Sequence, residues 1–170
     1  MSTWIFLILT LYDSSNVLTF NRTAGVAKIF DGHIRDKLHK EVDFNDKKYK
    51  GKIVGLYFSS HRCPPCRAFT PFLSEIYNEY HKEKKFRIIF ISCDADEKTF
   101  NDYYKNMPWL ALDYKERKKS EELLKKYNVT GIPKLVLIDG DTGKIICTNA
   151  VEQILYLDPE GKNFPWKSAQ

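Results

Sequence analysis

Ile53-Val54-Gly55-Leu56-Tyr57-Phe58-Ser59-Ser60-His61-Arg62-Cys63-Pro64-Pro65-Cys66 joins a nearly continuous apolar run to a C-x-x-C pair. A run with so little polar alternation suits a central strand buried on both faces. Beyond the cysteines, Phe69, Phe72, Leu73, Ile76, Tyr77 and Tyr80 recur at helical spacing and predict an amphipathic helix with one apolar stripe. Pro64 and Pro65 suit its first turn, where the missing N–H groups would have had no partner within the helix. Phe86 to Ser92 reads as a second buried strand. Strand, helix and strand then form a right-handed βαβ unit with parallel strands.

On either side of this unit the signals are shorter. Val26 to Leu38 reads as helix and Glu41 to Phe44 as a short strand. Asp94-Ala95-Asp96 opens a helix that runs to about Met107 and stops at Pro108-Trp109. Ser120, followed by Glu121 and Glu122, predicts an N-cap for a helix ending at Tyr127. Lys134 to Ile138 reads as a strand, and the loop from Asp139 to Gly143 turns the chain into an antiparallel partner at Lys144 to Thr148. The expected fold class is α/β, a central mixed sheet flanked by helices.

The 170 residues suffice for one domain and are too few for two of usual size. The net charge of +5 comes from 27 Lys and Arg against 22 Asp and Glu, and the excess is spread along the chain. No basic region is patterned with exposed aromatics, so no nucleic-acid partner is expected. No stretch reaches the roughly 18 apolar residues of a membrane span, so no membrane partner is expected either. Trp4 to Tyr12 is an apolar run of signal-peptide length, but it lacks a positive n-region and a small-x-small site. It reads as part of an uncleaved N-terminal extension over residues 1–25, with a secretory leader as the minority reading. The domain is expected over residues 26–170.

Four cysteines, two of them in one C-x-x-C, fit a reducing compartment better than a secreted disulfide scaffold. Cys63 should lie at the positive end of the helix, a position that favours the thiolate and makes it the nucleophile. Cys66, one turn later, is placed to resolve the mixed disulfide. Neither Pro64 nor Pro65 has an N–H for the sulfur, so His61 and Arg62 are the cations expected to help, with Arg62 lowering the Cys63 pKa. Zinc would need further ligands at metal spacing, and no second C-x-x-C or H-x-x-x-H exists. No metal and no cofactor are therefore expected. Cys93 and Cys147 read as small buried apolar residues, with a regulatory thiol as the alternative.

The string Tyr57 to Pro71, with Cys63-Pro64-Pro65-Cys66-Arg67-Ala68-Phe69-Thr70-Pro71 at its centre, resembles the tryparedoxin/nucleoredoxin branch of the thioredoxin superfamily. Met107-Pro108-Trp109-Leu110-Ala111, Tyr127 to Lys134, Asp158-Pro159-Glu160-Gly161 and Phe164-Pro165-Trp166 agree in order. The resemblance implies a thioredoxin-like fold and a dithiol that reduces protein disulfides, recharged by an upstream thiol reductant. It also implies a cis Ile132–Pro133 bond facing the cysteines and a substrate surface around Arg62, Pro64, Pro65, Ile132 and Pro133. Trp109 would lie near that surface, although a core position is the other reading for a Trp there. Arg62 stands where the family usually has Trp. Tyr57 stands where thioredoxin proper has a buried acid. The alternative function is a redox-sensitive protein-binding module with little turnover. A monomer in the cytoplasm is expected, and the sequence does not separate cytosol from nucleus. The sequons at Asn21 and Asn128 would matter only in a secreted chain.

Overall fold

The computed structural model describes residues 25–167. The N-terminal apolar run and the sequon at Asn21 lie outside the described residues. The elements are α1 (Gly25–Phe30), β1 (Ile34–Arg35), β2 (Ile53–Ser59), α2 (Pro64–Tyr80), β3 (Phe86–Ser92), α3 (Glu97–Tyr104), β4 (Leu110–Leu112), α4 (Arg117–Lys126), β5 (Lys134–Asp139), β6 (Ile145–Cys147) and α5 (Ala150–Glu152). A π-helical turn at Gln153–Leu157 extends α5.

Six strands form one mixed sheet in the order β1-β4-β3-β2-β5-β6. β2 lies parallel to β3, pairing Tyr57 with Phe90, and antiparallel to β5, pairing Tyr57 with Leu135. This is the thioredoxin-like arrangement, and the expected βαβ unit is its centre. The apolar runs of β2, β3 and β5 are continuous because alternate side chains enter two different cores. Tyr57, Ile88, Phe90, Leu135 and Leu137 pack with α2 and α3 on one face. Val54, Leu56, Phe58, Ile89, Ile91, Val136 and Ile138 pack with α1 and α4 on the other. Gly55 makes the close fit possible, since a Cβ there would stand 2.9 Å from Leu135 Cδ1 and 3.1 Å from the Phe86 ring.

Several expected elements differ from the structure. The helix expected over Val26 to Leu38 ends at Phe30, because Asp31 and Gly32 take positive φ of 46° and 83°. The following Ile34–Arg35 pairs with β4. Glu41 makes only an isolated bridge to Arg35 in place of the strand expected over Glu41 to Phe44. Ser120 is an interior residue of α4, and its Oγ donates to the Ser92 carbonyl at 3.2 Å. On α2 the buried stripe is Cys66, Phe69, Thr70, Leu73 and Tyr77, whereas Phe72 is exposed.

Candidate active site

The end of β2 and the start of α2 position the cysteines. Pro64 and Pro65 fill the first two helical positions, so Cys66 carries the first N–H that the helix can offer. Cys63 takes the N-cap position, and its Sγ accepts that N–H at 3.3 Å. Its carbonyl accepts the Arg67 N–H at 3.1 Å. The two prolines therefore leave one backbone donor in the first turn, and the Cys63 sulfur receives it. Cys63 and Cys66 are joined as a disulfide with their Cα atoms 5.2 Å apart. Cys63 is partly exposed and Cys66 is buried, so an incoming group meets Cys63 first.

Ile132–Pro133 is a cis peptide, and the Ile132 carbonyl oxygen lies 3.7 Å from Cys63 Sγ. Pro64 and Pro65 are exposed beside it. These residues form one surface with the sulfur. The Arg62 guanidinium pairs with the Asp96 carboxylate at 3.6 Å, and its side chain is 75% exposed. Asp96 is the N-cap of α3, and backbone hydrogen bonding from Thr99 holds its carboxyl below the usual range, with Arg62 adding to the effect.

Trp109 is not on this surface. It is 1% exposed and meets Tyr57 and Tyr77 edge-on, with ring centroids 5.9 Å and 5.5 Å away. The core position therefore replaces the expected substrate contact. Trp109, just before β4, and Ala111, within it, are two residues apart and enter the same core.

Beneath the cysteines the buried acid of thioredoxin proper is replaced by hydroxyls. Tyr57 Oη lies 2.7 Å from Thr70 Oγ1 and accepts from Ser59 Oγ at 3.0 Å. Tyr103 Oη closes the group against Thr70 and Ser59. Thr70 Oγ1 donates to the Cys66 carbonyl at 2.9 Å. Burial pushes the Tyr57 phenol well above its ordinary pKa, so it stays neutral and acts as a hydrogen-bonding group rather than a base.

Sequence reasoning missed Asp94, which it took as part of a helix start. The carboxylate is buried and accepts from Ser60 Oγ at 2.7 Å, the His61 N–H at 2.8 Å and Ser92 Oγ at 2.8 Å. It thus fixes the turn that delivers Arg62 and Cys63. The one available signal was its position, an acid two residues past an apolar strand. Cys93 and Cys147 are free thiols, and burial raises the pKa of both. Among the described residues, no group of three or more His, Cys, Asp or Glu could hold a metal.

A disulfide-forming pair at a helix N-terminus, carried on a thioredoxin-like sheet, defines a thiol–disulfide oxidoreductase. A family model described as thioredoxin-like matches residues 51–145. Tryparedoxin of Trypanosoma brucei brucei is 45% identical over 143 residues, covering 84% of this chain and 98% of its own length. A solved structure of tryparedoxin from Trypanosoma brucei has a TM-score of 0.79 at 44% identity, over 85% of this chain and 99% of that one. Tryparedoxin II complexed with glutathionylspermidine has a TM-score of 0.68 at 45% identity, over 69% of this chain and 81% of that one. Nucleoredoxin of Danio rerio is 40% identical over 130 residues, which are 74% of this chain and 31% of that protein. The chain belongs to the thioredoxin-like family, in its tryparedoxin and nucleoredoxin branch.

Proposed function

We propose that the chain reduces protein disulfides, with Cys63 as nucleophile and Cys66 as resolving thiol. The observation that carries this reading is the Cys63–Cys66 pairing at the start of α2, with the Cys66 N–H directed at the outer sulfur. In the reduced protein, the Cys63 thiolate attacks one sulfur of the substrate disulfide. The new bond joins Cys63 to that sulfur, and the other substrate sulfur leaves as a thiolate and takes up a proton. Cys66 then loses its proton and attacks Cys63 Sγ, which closes the intramolecular disulfide and releases the second substrate thiol. Two electrons and two protons pass to the substrate in each cycle.

A thiol reductant returns the electrons through the reverse exchange. One solved tryparedoxin II is complexed with glutathionylspermidine; a low-molecular-weight thiol is therefore our proposed reductant class. We place the reaction in the cytosol, where such thiols keep a dithiol reduced. The second reading, a redox-sensitive binding module, draws on Arg62, which offers a charged side chain tied to Asp96 in place of an aromatic platform.

Insulin reduction by dithiothreitol tests the main reading. Wild type should accelerate it, and Cys63→Ser should not exceed the background. No acceleration by wild type would favour the binding module.

A further inference from the structure

The backbone from His61 to Arg67 has no donor left for a ligand. Asp94 accepts the His61 N–H at 2.8 Å, Ser60 Oγ accepts that of Arg62 at 3.3 Å, and the Ser60 carbonyl accepts that of Cys63 at 3.2 Å. Pro64 and Pro65 have none, the Cys66 N–H goes to Cys63 Sγ, and the Arg67 N–H goes to the Cys63 carbonyl. An anionic group arriving on this side of the sulfur therefore finds side-chain donors only. Two guanidiniums stand there, both exposed. Arg67 donates through Nη1 to the His61 carbonyl at 3.4 Å, so it lies against the peptide that leads into Arg62. Arg62, next to Cys63, meets Asp96 at 3.6 Å, which is longer than a hydrogen bond and leaves its N–H groups for another acceptor. The nearby acids are all held. Asp94 is buried under three donors. Asp96 is fixed by the Thr99 N–H and Oγ1 at 2.7 and 2.8 Å. Asp102 is paired with Lys98 at 2.8 Å and Lys105 at 3.6 Å.

We propose that Arg62 is a specificity-determining residue that selects protein disulfides with a carboxylate side chain next to the attacked cysteine. The inference rests on the reductase reading. A substrate chain bonded to Cys63 Sγ brings its neighbouring side chains to the residue that precedes Cys63, and that residue carries the exposed guanidinium. A carboxylate there takes two parallel N–H bonds from one guanidinium, whereas an ammonium meets like charge. Arg67 adds a second positive charge against the same turn. Asp96 sets the threshold of the selection. The α3 cap holds it in place, so a substrate carboxylate competes with it for the guanidinium. Removing the Asp96 charge should therefore sharpen the preference, and removing the Arg62 charge should abolish it. The site is solvated, so each contribution is a few-fold and salt weakens it.

Two symmetric peptide disulfides test this, one with Glu and one with Lys on both sides of each cysteine, beside the uncharged bis(hydroxyethyl) disulfide. The readout is the Glu-to-Lys ratio of kcat/KM at about pH 7, in wild type relative to the same ratio in Arg62→Gln. Peptide reactivity, the reactivity of the Cys63 sulfur and the amount of folded protein all cancel in that comparison. The ratio should fall by about tenfold in Arg62→Gln, a few-fold from each peptide. Arg62→Lys should keep most of it. Asp96→Asn, which retains a capping side chain, should raise it by about threefold. Salt at about 0.5 M should erase most of the difference between wild type and Arg62→Gln. A ratio that changes by less than about twofold in Arg62→Gln, or that falls in Asp96→Asn, would overturn the proposal. If wild type reduces the hydroxyethyl disulfide and Arg62→Gln leaves the peptide ratio unchanged, the selection fails and the chemistry stands. If wild type reduces none of the three, the reductase reading fails and takes the selection with it.

Discussion

Cys63 combines three local features: the N-cap position, the single N–H left by two prolines, and partial exposure. Cys93 shares the partial exposure but neither Cys93 nor Cys147 caps a helix, and burial raises the pKa of both. In fully reduced protein near neutral pH, iodoacetamide should therefore label Cys63 first, with Cys93 and Cys147 lagging at least about tenfold. Mass spectrometry of timed samples checks this, and equal labelling would contradict it. Arg62 should matter less to the thiolate than sequence suggests. An exposed guanidinium paired with a carboxylate is largely screened. Arg62→Ala should move the pH midpoint of Cys63 alkylation by less than about half a unit, and a full unit would restore Arg62 as the main cation. Trp109 illustrates the limit of reading residues singly. Its neighbours in sequence gave no sign of the Tyr57 and Tyr77 rings that enclose it. Trp109→Ala should cost about 3–5 kcal/mol in urea unfolding. Trp109→Phe should cost far less, since the indole Nε1 has no hydrogen-bond partner among the described residues.

Elements whose burial writes a long pattern were legible, and those completed by distant pairing were not. β2, β3 and β5 face two cores, so their sequences are apolar without interruption. β1 and β4 have two and three residues, and they exist because Ile34 meets Leu112 across the sheet. No local period could announce them. The turn before Cys63 depends likewise on Asp94 from the end of β3. Asp94→Ala leaves two hydroxyls and one N–H without their acceptor, each costing about 1–3 kcal/mol if it stays dry. Insulin-reduction kcat/KM should fall by about tenfold or more through misplacement of Cys63; unchanged activity would show that the turn holds without it. At the other end, Asp158 accepts the Asn163 and Lys162 N–H groups and Trp166 Nε1. Hydrogen bonding from Asn163, followed by that from Trp166 and Lys162, keeps its carboxyl below the usual range. A depressed carboxyl contributes stability above its unfolded pKa and loses it as pH falls through the folded one. The thermal-midpoint gap between wild type and Asp158→Asn should narrow as the pH falls from about 6 to about 3. A gap independent of pH would contradict that assignment.

The arrangement as a unit is a rigid sheet that carries one reactive end. β2 feeds the cysteines, the loop after β3 supplies Asp94, α3 supplies Tyr103 and its N-cap Asp96, and the segment before β5 brings Ile132 to the sulfur. The C-x-x-C and its adjoining strand and helix were readable because their chemistry is local. The cluster of hydroxyls from Tyr57, Ser59, Thr70 and Tyr103 was hidden, because it needs residues from several elements. The central claim is that Cys63 attacks and Cys66 resolves. Reduced Cys66→Ser, incubated with oxidised insulin under non-reducing conditions, should accumulate a mixed disulfide that peptide mapping assigns to Cys63, while Cys63→Ser should not accumulate it. An adduct that is absent from Cys66→Ser, or as abundant in Cys63→Ser, would contradict the assignment of roles.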